Sequence, residues 1–211
     1  MKKEMKTVRI ALVGTPGAGK TTVTKILKKS IRPSSYTVGF VEEAATMLMH
    51  SSAANRQLRE TDPVAFQDMV ADTHIKNEGA GILRAQRDGA EKLLQITDRA
   101  LMDAYVYLND EQRTRLKRPI EPLDELNQRY DAVICFDYYD CGAWLKAGNN
   151  VRAEKALSDI KRVCERSKEV YSTHPRFYLV RPCDNVREKA ARVAEIINEV
   201  VGEEVFRVEI E

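Results

Sequence analysis

The chain has 211 residues, 43% of them hydrophobic and 31% charged, which is long and apolar enough to bury a core. Its 34 basic and 32 acidic residues leave a net charge of +2. That balance argues against nucleic acid or an acidic membrane as the principal partner, and no stretch approaches the roughly 20 apolar residues of a membrane span.

In chain order, MKKEMKTVRIALVG is charged and then apolar, but the apolar run is too short for a signal-peptide core and leads straight into glycines. Val8–Val13 is β-branched and ends at glycine, the pattern of a buried parallel strand. Lys20–Lys29 follows with Val23, Ile26 and Leu27 at helical spacing. Tyr36–Val41 reads as a second strand and Glu43–Met49 as a helix. Thr61-Asp62-Pro63 is a start signal for a helix from Pro63 to about Gln86, whose middle Gly79 and Gly81 weaken. Lys92–Thr97 is a third strand ending in Asp98-Arg99, with amphipathic segments at Leu101–Leu108 and Asp110–Arg118. Ala132–Tyr138 is the fourth strand and the most apolar, and 140–150 reads as a loop. A long charged helix over Val151–Thr173, a fifth strand at Phe177–Val180 and an amphipathic helix at Asn185–Val201 follow. Val205–Ile210 alternates and is a candidate extra edge strand.

Strands alternating with helices imply an α/β fold: a three-layer sandwich with a central, mostly parallel five-stranded sheet. The expected organisation is one nucleotide-binding domain over 1–211, with a lid-like segment around 140–173. Cys135, Cys141, Cys164 and Cys183 form no C-x-x-C pair, so they read as buried or incidental thiols of a reducing compartment. The expectation is a soluble, cytoplasmic protein of undetermined oligomeric state.

The strongest motif is GTPGAGKT, Gly14 to Thr21, which meets G-x-x-x-x-G-K-[ST] between a predicted strand and a predicted helix. Glycines let the backbone wrap an anion with its N–H groups inward, and the following helix turns its positive end to the same point. Gly14, Thr15, Pro16, Gly17, Ala18, Gly19, Lys20, Thr21 and the adjoining Thr22 are thus the expected nucleotide-binding residues of a P-loop NTPase fold. Lys20, expected on an exposed loop, would bridge the β and γ phosphates, while the Thr21 hydroxyl would ligate Mg²⁺. ATP is the expected nucleotide and GTP the alternative, since no Asn-Lys-x-Asp guanine motif occurs.

Open α/β sheets place ligands at the carboxyl ends of their strands, and two strands end in acids. Glu43 would orient or deprotonate an acceptor hydroxyl, with Glu42 beside it reading as a helix first-turn acid. Asp98 would hold Mg²⁺ through water. Arg152 follows the glycine- and asparagine-containing loop, where a lid would hinge and bring a cation to the transferring phosphoryl group. Trp144 would report on that lid. His50, His74 and His174 are scattered and receive no catalytic role.

The order GTPGAGKT, FVEEAA, ITDRALMDAY, YDAVICF and NNVRAEKALSDIKRVCERSKEVY resembles the P-loop small-molecule kinase group that includes the ribosylnicotinamide kinase domain of NadR-type proteins. The resemblance runs from about Val8 to Val201. It implies that Glu43, Asp98, Arg99 and Arg152 surround the phosphates. Two positions depart from that pattern: Thr46 stands near a place where relatives often carry arginine, and Asn150 replaces the lid glycine. The implied activity is Mg-ATP-dependent phosphoryl transfer to a small-molecule acceptor such as a nucleoside, nucleotide or nicotinamide riboside. The alternatives are a nucleotide-binding regulatory module and a plain ATPase or GTPase.

Overall fold

The computed structural model describes residues 4–117, 121–137, 157–183 and 185–210, without the side chains of 157–160. Five strands form one sheet: β1 (Lys6–Gly14), β2 (Thr37–Val41), β3 (Lys92–Asp98), β4 (Ala132–Phe136) and β5 (Phe177–Val180). Their order is β2-β3-β1-β4-β5, and every pairing is parallel. The helices are α1 (Lys20–Lys29), α2 (Ala44–Ser51), α3 (Ala53–Thr61), α4 (Pro63–Arg87), α5 (Asp103–Tyr107), α6 (Asp110–Thr114), α7 (Leu123–Gln128), α8 (Leu157–Tyr171) and α9 (Val186–Val201). This is the α/β fold of a P-loop NTPase.

The apolar run of β1 follows from its central place, since a strand covered on both faces has no polar side. Successive side chains alternate between faces, so Val8, Ile10 and Leu12 meet Val23 and Leu27 of α1 and Ala190, Val193 and Ile197 of α9. Ala11 and Val13 meet the other layer, where Met102, Val106, Leu126, Val163 and Tyr171 pack. Leu12 lies in register with Asp98, and Gly14 with Phe136. The register thus sets the start of the glycine loop between the ends of β3 and β4. Among the described residues no helix is long and apolar enough to cross a membrane.

Several expectations change. The extra edge strand does not form: 205–210 contributes one antiparallel bridge, Phe206 to Ile31. Asn198 supplies the reason, its side chain accepting from the Val205 and Phe206 amides and donating to the Phe206 carbonyl. Three backbone groups of Val205 and Phe206 are satisfied by that one amide, while Val205 O and Arg207 N pair with Arg32 and Ser30. The fourth strand stops at Phe136, and the described part of the long charged helix is Leu157–Tyr171. The loop at 140–150, Cys141 and Trp144 lie outside the described residues. Of the segment expected at Asp110–Arg118, the described residues 110–117 hold the one-turn α6, opened by an Asn109–Gln112 capping box, and Arg118 lies outside them.

The two glycines do not break α4, which runs unbroken over 25 residues from an Asp62 cap and Pro63. They play different parts. A Cβ on Gly79 would meet open space, whereas one on Gly81 would lie 2.7 Å from the Gln95 amide nitrogen. Gln95 is fully buried and donates to the Glu78 carbonyl at 2.9 Å, tying β3 to α4. Gly79→Ala is therefore expected to stabilise by about 0.5–1 kcal/mol through helix propensity. Gly81→Ala should instead destabilise by about 1 kcal/mol or more through overpacking. Urea unfolding of the two variants measures both, and equal signs would contradict this account of Gly81.

Candidate functional site

The loop from Gly14 to Gly19 turns the chain from β1 into α1 through three positive φ values, 118° at Gly14, 83° at Gly17 and 93° at Gly19. Gly14 has no alternative residue on steric grounds either, since a Cβ there would stand 2.3 Å from the Phe136 carbonyl oxygen. Gly19 caps α1 without a side chain, and the first turn of α1, beginning Lys20-Thr21-Thr22, carries no acid. Its amides and the positive end of its dipole are left for an external anion.

Lys20 is buried, contrary to the exposed position expected, because its side chain folds back over its own loop. Its ammonium donates to the carbonyls of Gly14 and Thr15, each at 3.0 Å. Burial, then the Arg99 charge, pushes its pKa down to about 8, while Asp98, Glu43 and Asp103 pull the other way.

Arg99 is the one non-glycine residue with positive φ among the described residues, at 83°. Its amide donates to Leu12 O at 2.9 Å, and Thr97 Oγ1 donates to its carbonyl at 2.8 Å. The side chain is thereby turned back over the sheet, where Nη1 donates to Gly14 O at 2.8 Å and Nε to Glu43 Oε1 at 2.9 Å. Asp103 Oδ2 lies 3.6 Å from the same Nε, and the guanidinium sits 5.8 Å over the Tyr107 ring. Arg99 thus reaches the loop through the Gly14 carbonyl and otherwise holds two acids.

The two expected acids sit differently. Glu43 stands just before α2, with one oxygen on Arg99 and the other accepting from Thr46 Oγ1 at 2.6 Å. Burial favours its neutral form, but Arg99, Lys20 and the Thr46 hydroxyl outweigh this and hold its pKa down to about 2. Asp98, at the end of β3, keeps a buried Oδ1 with no hydrogen-bond partner among the described residues. Burial raises its pKa, Lys20 opposes the rise and Glu43 adds to it. Asp103 is also raised, first by burial, although Arg99 and the donating Tyr171 hydroxyl oppose.

Lys20, Thr21, Thr22, Glu43, Asp98 and Arg99 line one cleft of about 790 Å³. Phe40, Met49, Arg59, Phe66, Gln67 and Val70 form its far wall, from the end of β2 across α2, α3 and α4. That volume suits a small molecule beside a nucleotide's phosphates. The residues fit a Mg-nucleotide: the amides of an uncapped helix end, a buried ammonium, and orphaned oxygens on Thr15 and Asp98. Thr21 and Asp98 are the side chains that would hold Mg²⁺, with phosphate and water completing its shell.

Arg152 and residues 140–156 of the expected lid lie outside the described residues. His50 lines the cleft rim, while His74 and His174 are buried in contacts with Glu78 and Tyr130. The sequence reading did not single out Asp103, although its place four residues after Arg99 is the helical spacing of an ion pair. Arg59 and Tyr107 were also missed, since nothing local marks a residue whose role comes from a neighbouring element.

A family model described as an AAA domain matches residues 9–189. The chain therefore belongs to that family, a P-loop NTPase type whose members bind nucleotide with Mg²⁺ and support ATPase-type activity. No curated protein matches the chain.

A Lys20 that meets phosphate must be protonated, so affinity for Mg-ADP is expected to fall as pH rises through about 8, by up to about tenfold per pH unit. Calorimetry in buffers of different ionisation enthalpy should show proton uptake above that pH. Without ligand, the unfolded chain holds this proton more tightly. Lys20 therefore weakens the fold below about 8, and the penalty disappears as pH rises toward its ordinary value of 10.5. A flat affinity profile from about pH 7 to 9.5 would remove Lys20 from contact with phosphate.

Proposed function

We propose that the chain transfers the terminal phosphoryl group of Mg-ATP to a hydroxyl of a small molecule, a nucleoside, nucleotide or nicotinamide riboside. The observation that carries this reading is the cleft. It runs from the glycine loop past Asp98 to a wall of Phe40, Phe66 and Val70, and so offers room for a second molecule at the phosphate site. A site built only to hydrolyse would need space there for water alone.

The two acids divide the work. Both oxygens of Glu43 are engaged and it stays ionised, so it fixes Arg99 and through it the carbonyl that opens the loop. Asp98 keeps an orphaned oxygen, so it could take the acceptor's proton while a water links the carboxylate to Mg²⁺. In the transfer, the bond from the γ phosphorus to the bridging oxygen breaks, the acceptor oxygen bonds to that phosphorus, and the proton passes to Asp98. Lys20 leaves the loop carbonyls to neutralise charge on the phosphate oxygens. Bound Mg²⁺, held by Thr21 and Asp98, would supply charge neutralisation on the phosphates. A hydrolytic ATPase is the second reading, favoured by the family match.

The test is ADP release from Mg-ATP in the presence of pooled nucleosides, nucleotides and nicotinamide riboside, against the acceptor-free rate. Acceptor-dependent turnover supports transfer, and a rate indifferent to every acceptor supports hydrolysis. Asp98→Asn should lower kcat by about 10²-fold or more with nucleotide affinity changed less than about threefold. Glu43→Gln should act mainly through displaced Arg99, raising KM as well. Full turnover in Asp98→Asn would remove Asp98 as the base.

A further inference from the structure

Lys189 belongs to the first turns of α9, and its residue is only 8% exposed. Its ammonium donates to the Ala18 carbonyl at 3.4 Å and lies 4.0 Å from where a Cβ on Gly19 would stand. Among the described residues no carboxylate stands within ion-pair distance of it, and the Ala18 carbonyl is its one hydrogen-bond partner. A buried, unpaired cation in the opening turns of a helix is unfavourable twice over, from desolvation and from the helix dipole. A site that will receive an anion gives that cost a purpose.

A loop whose amides turn inward to a phosphate must turn its carbonyls outward, and outward carbonyls need donors. Three here have cations: Gly14 and Thr15 from Lys20 and Arg99, and Ala18 from Lys189. Under the proposed function Lys20 departs for the phosphates, whereas Lys189 stays. We propose that Lys189 is a positioning residue for the nucleotide. It anchors the half of the loop that leads into α1 by its Ala18 carbonyl and adds positive potential behind the amides of Gly19 and Lys20. This rests on nucleotide binding at the loop and extends it to a residue of the last helix.

The experiment titrates Mg-ADP and inorganic pyrophosphate into wild type, Lys20→Ala, Lys189→Met and Lys189→Gln, and melts each ligand-free protein. Both Lys189 variants should bind both ligands about tenfold or more weakly. Their ligand-free melting points should be unchanged or higher, because an unpaired buried charge has been removed. Wild-type affinity in either folded variant overturns the proposal. So does a loss confined to Mg-ADP, which would mean a contact with the nucleoside rather than the phosphate loop. If neither variant folds, Lys189 is structural and the proposal falls. Wild type that binds neither ligand, or Lys20→Ala that binds both normally, would overturn the loop assignment itself, separately from Lys189.

Discussion

The site depends on one buried guanidinium. Arg99 stands where the third strand ends, in a left-handed backbone conformation that costs a non-glycine residue roughly 1–3 kcal/mol. The compensation lies in what it reaches: the Gly14 carbonyl, Glu43, Asp103 and the Tyr107 face. It is held in turn by the Leu12 carbonyl of the neighbouring strand, so β1–β3 pairing and the phosphate loop are one construction. Removing one side of such a buried pair typically costs about 3–5 kcal/mol, which makes Arg99 a structural keystone as much as a site residue.

Around it the charges are balanced against one another rather than solvated. Lys20 is pushed toward its neutral form and Asp98 and Asp103 toward theirs, while Glu43 alone is driven firmly to its ionised state. Burial sets the first three, and proximity to two cations sets the fourth. The arrangement is poised, since an arriving polyanion would stabilise protonated Lys20, and a cation with it would favour ionised Asp98.

Much of this was legible in the sequence, because the strongest signals are local. The glycine pattern, the strands and the helix from Lys20 to Lys29 rest on residues adjacent in the chain, and they stand where periodicity puts them. Asp98 and Glu43 were found from their positions at strand ends, and the cleft gathers both. The α3 helix was not foreseen because it is short and its only apolar residues are Ala53, Ala54 and Leu58, none of them buried. The short α7 escaped for want of length, with six residues. Val205–Ile210 misled because its alternation is real, but Asn198 meets its backbone needs before a strand can. Asp103 and Lys189 act across elements, through contacts that only folding creates.

Asn198 has a further consequence, at the far end of the helix that follows the glycine loop. Beyond α1, the Arg32 amide donates to Val205 O and the Arg207 amide to Ser30 O, and Asn198 holds that same tail to α9. The tail's Phe206 is buried in the core, edge-on to the Phe40 ring. Helix α1 is therefore moored at its carboxyl end by a knot of backbone hydrogen bonds and lies along α9. A pull from phosphate at its amino end cannot slide it along its axis. Displacing α1 along its axis would have to break those bonds, so this end of the molecule is built to stay fixed while the glycine loop remains its least constrained neighbour.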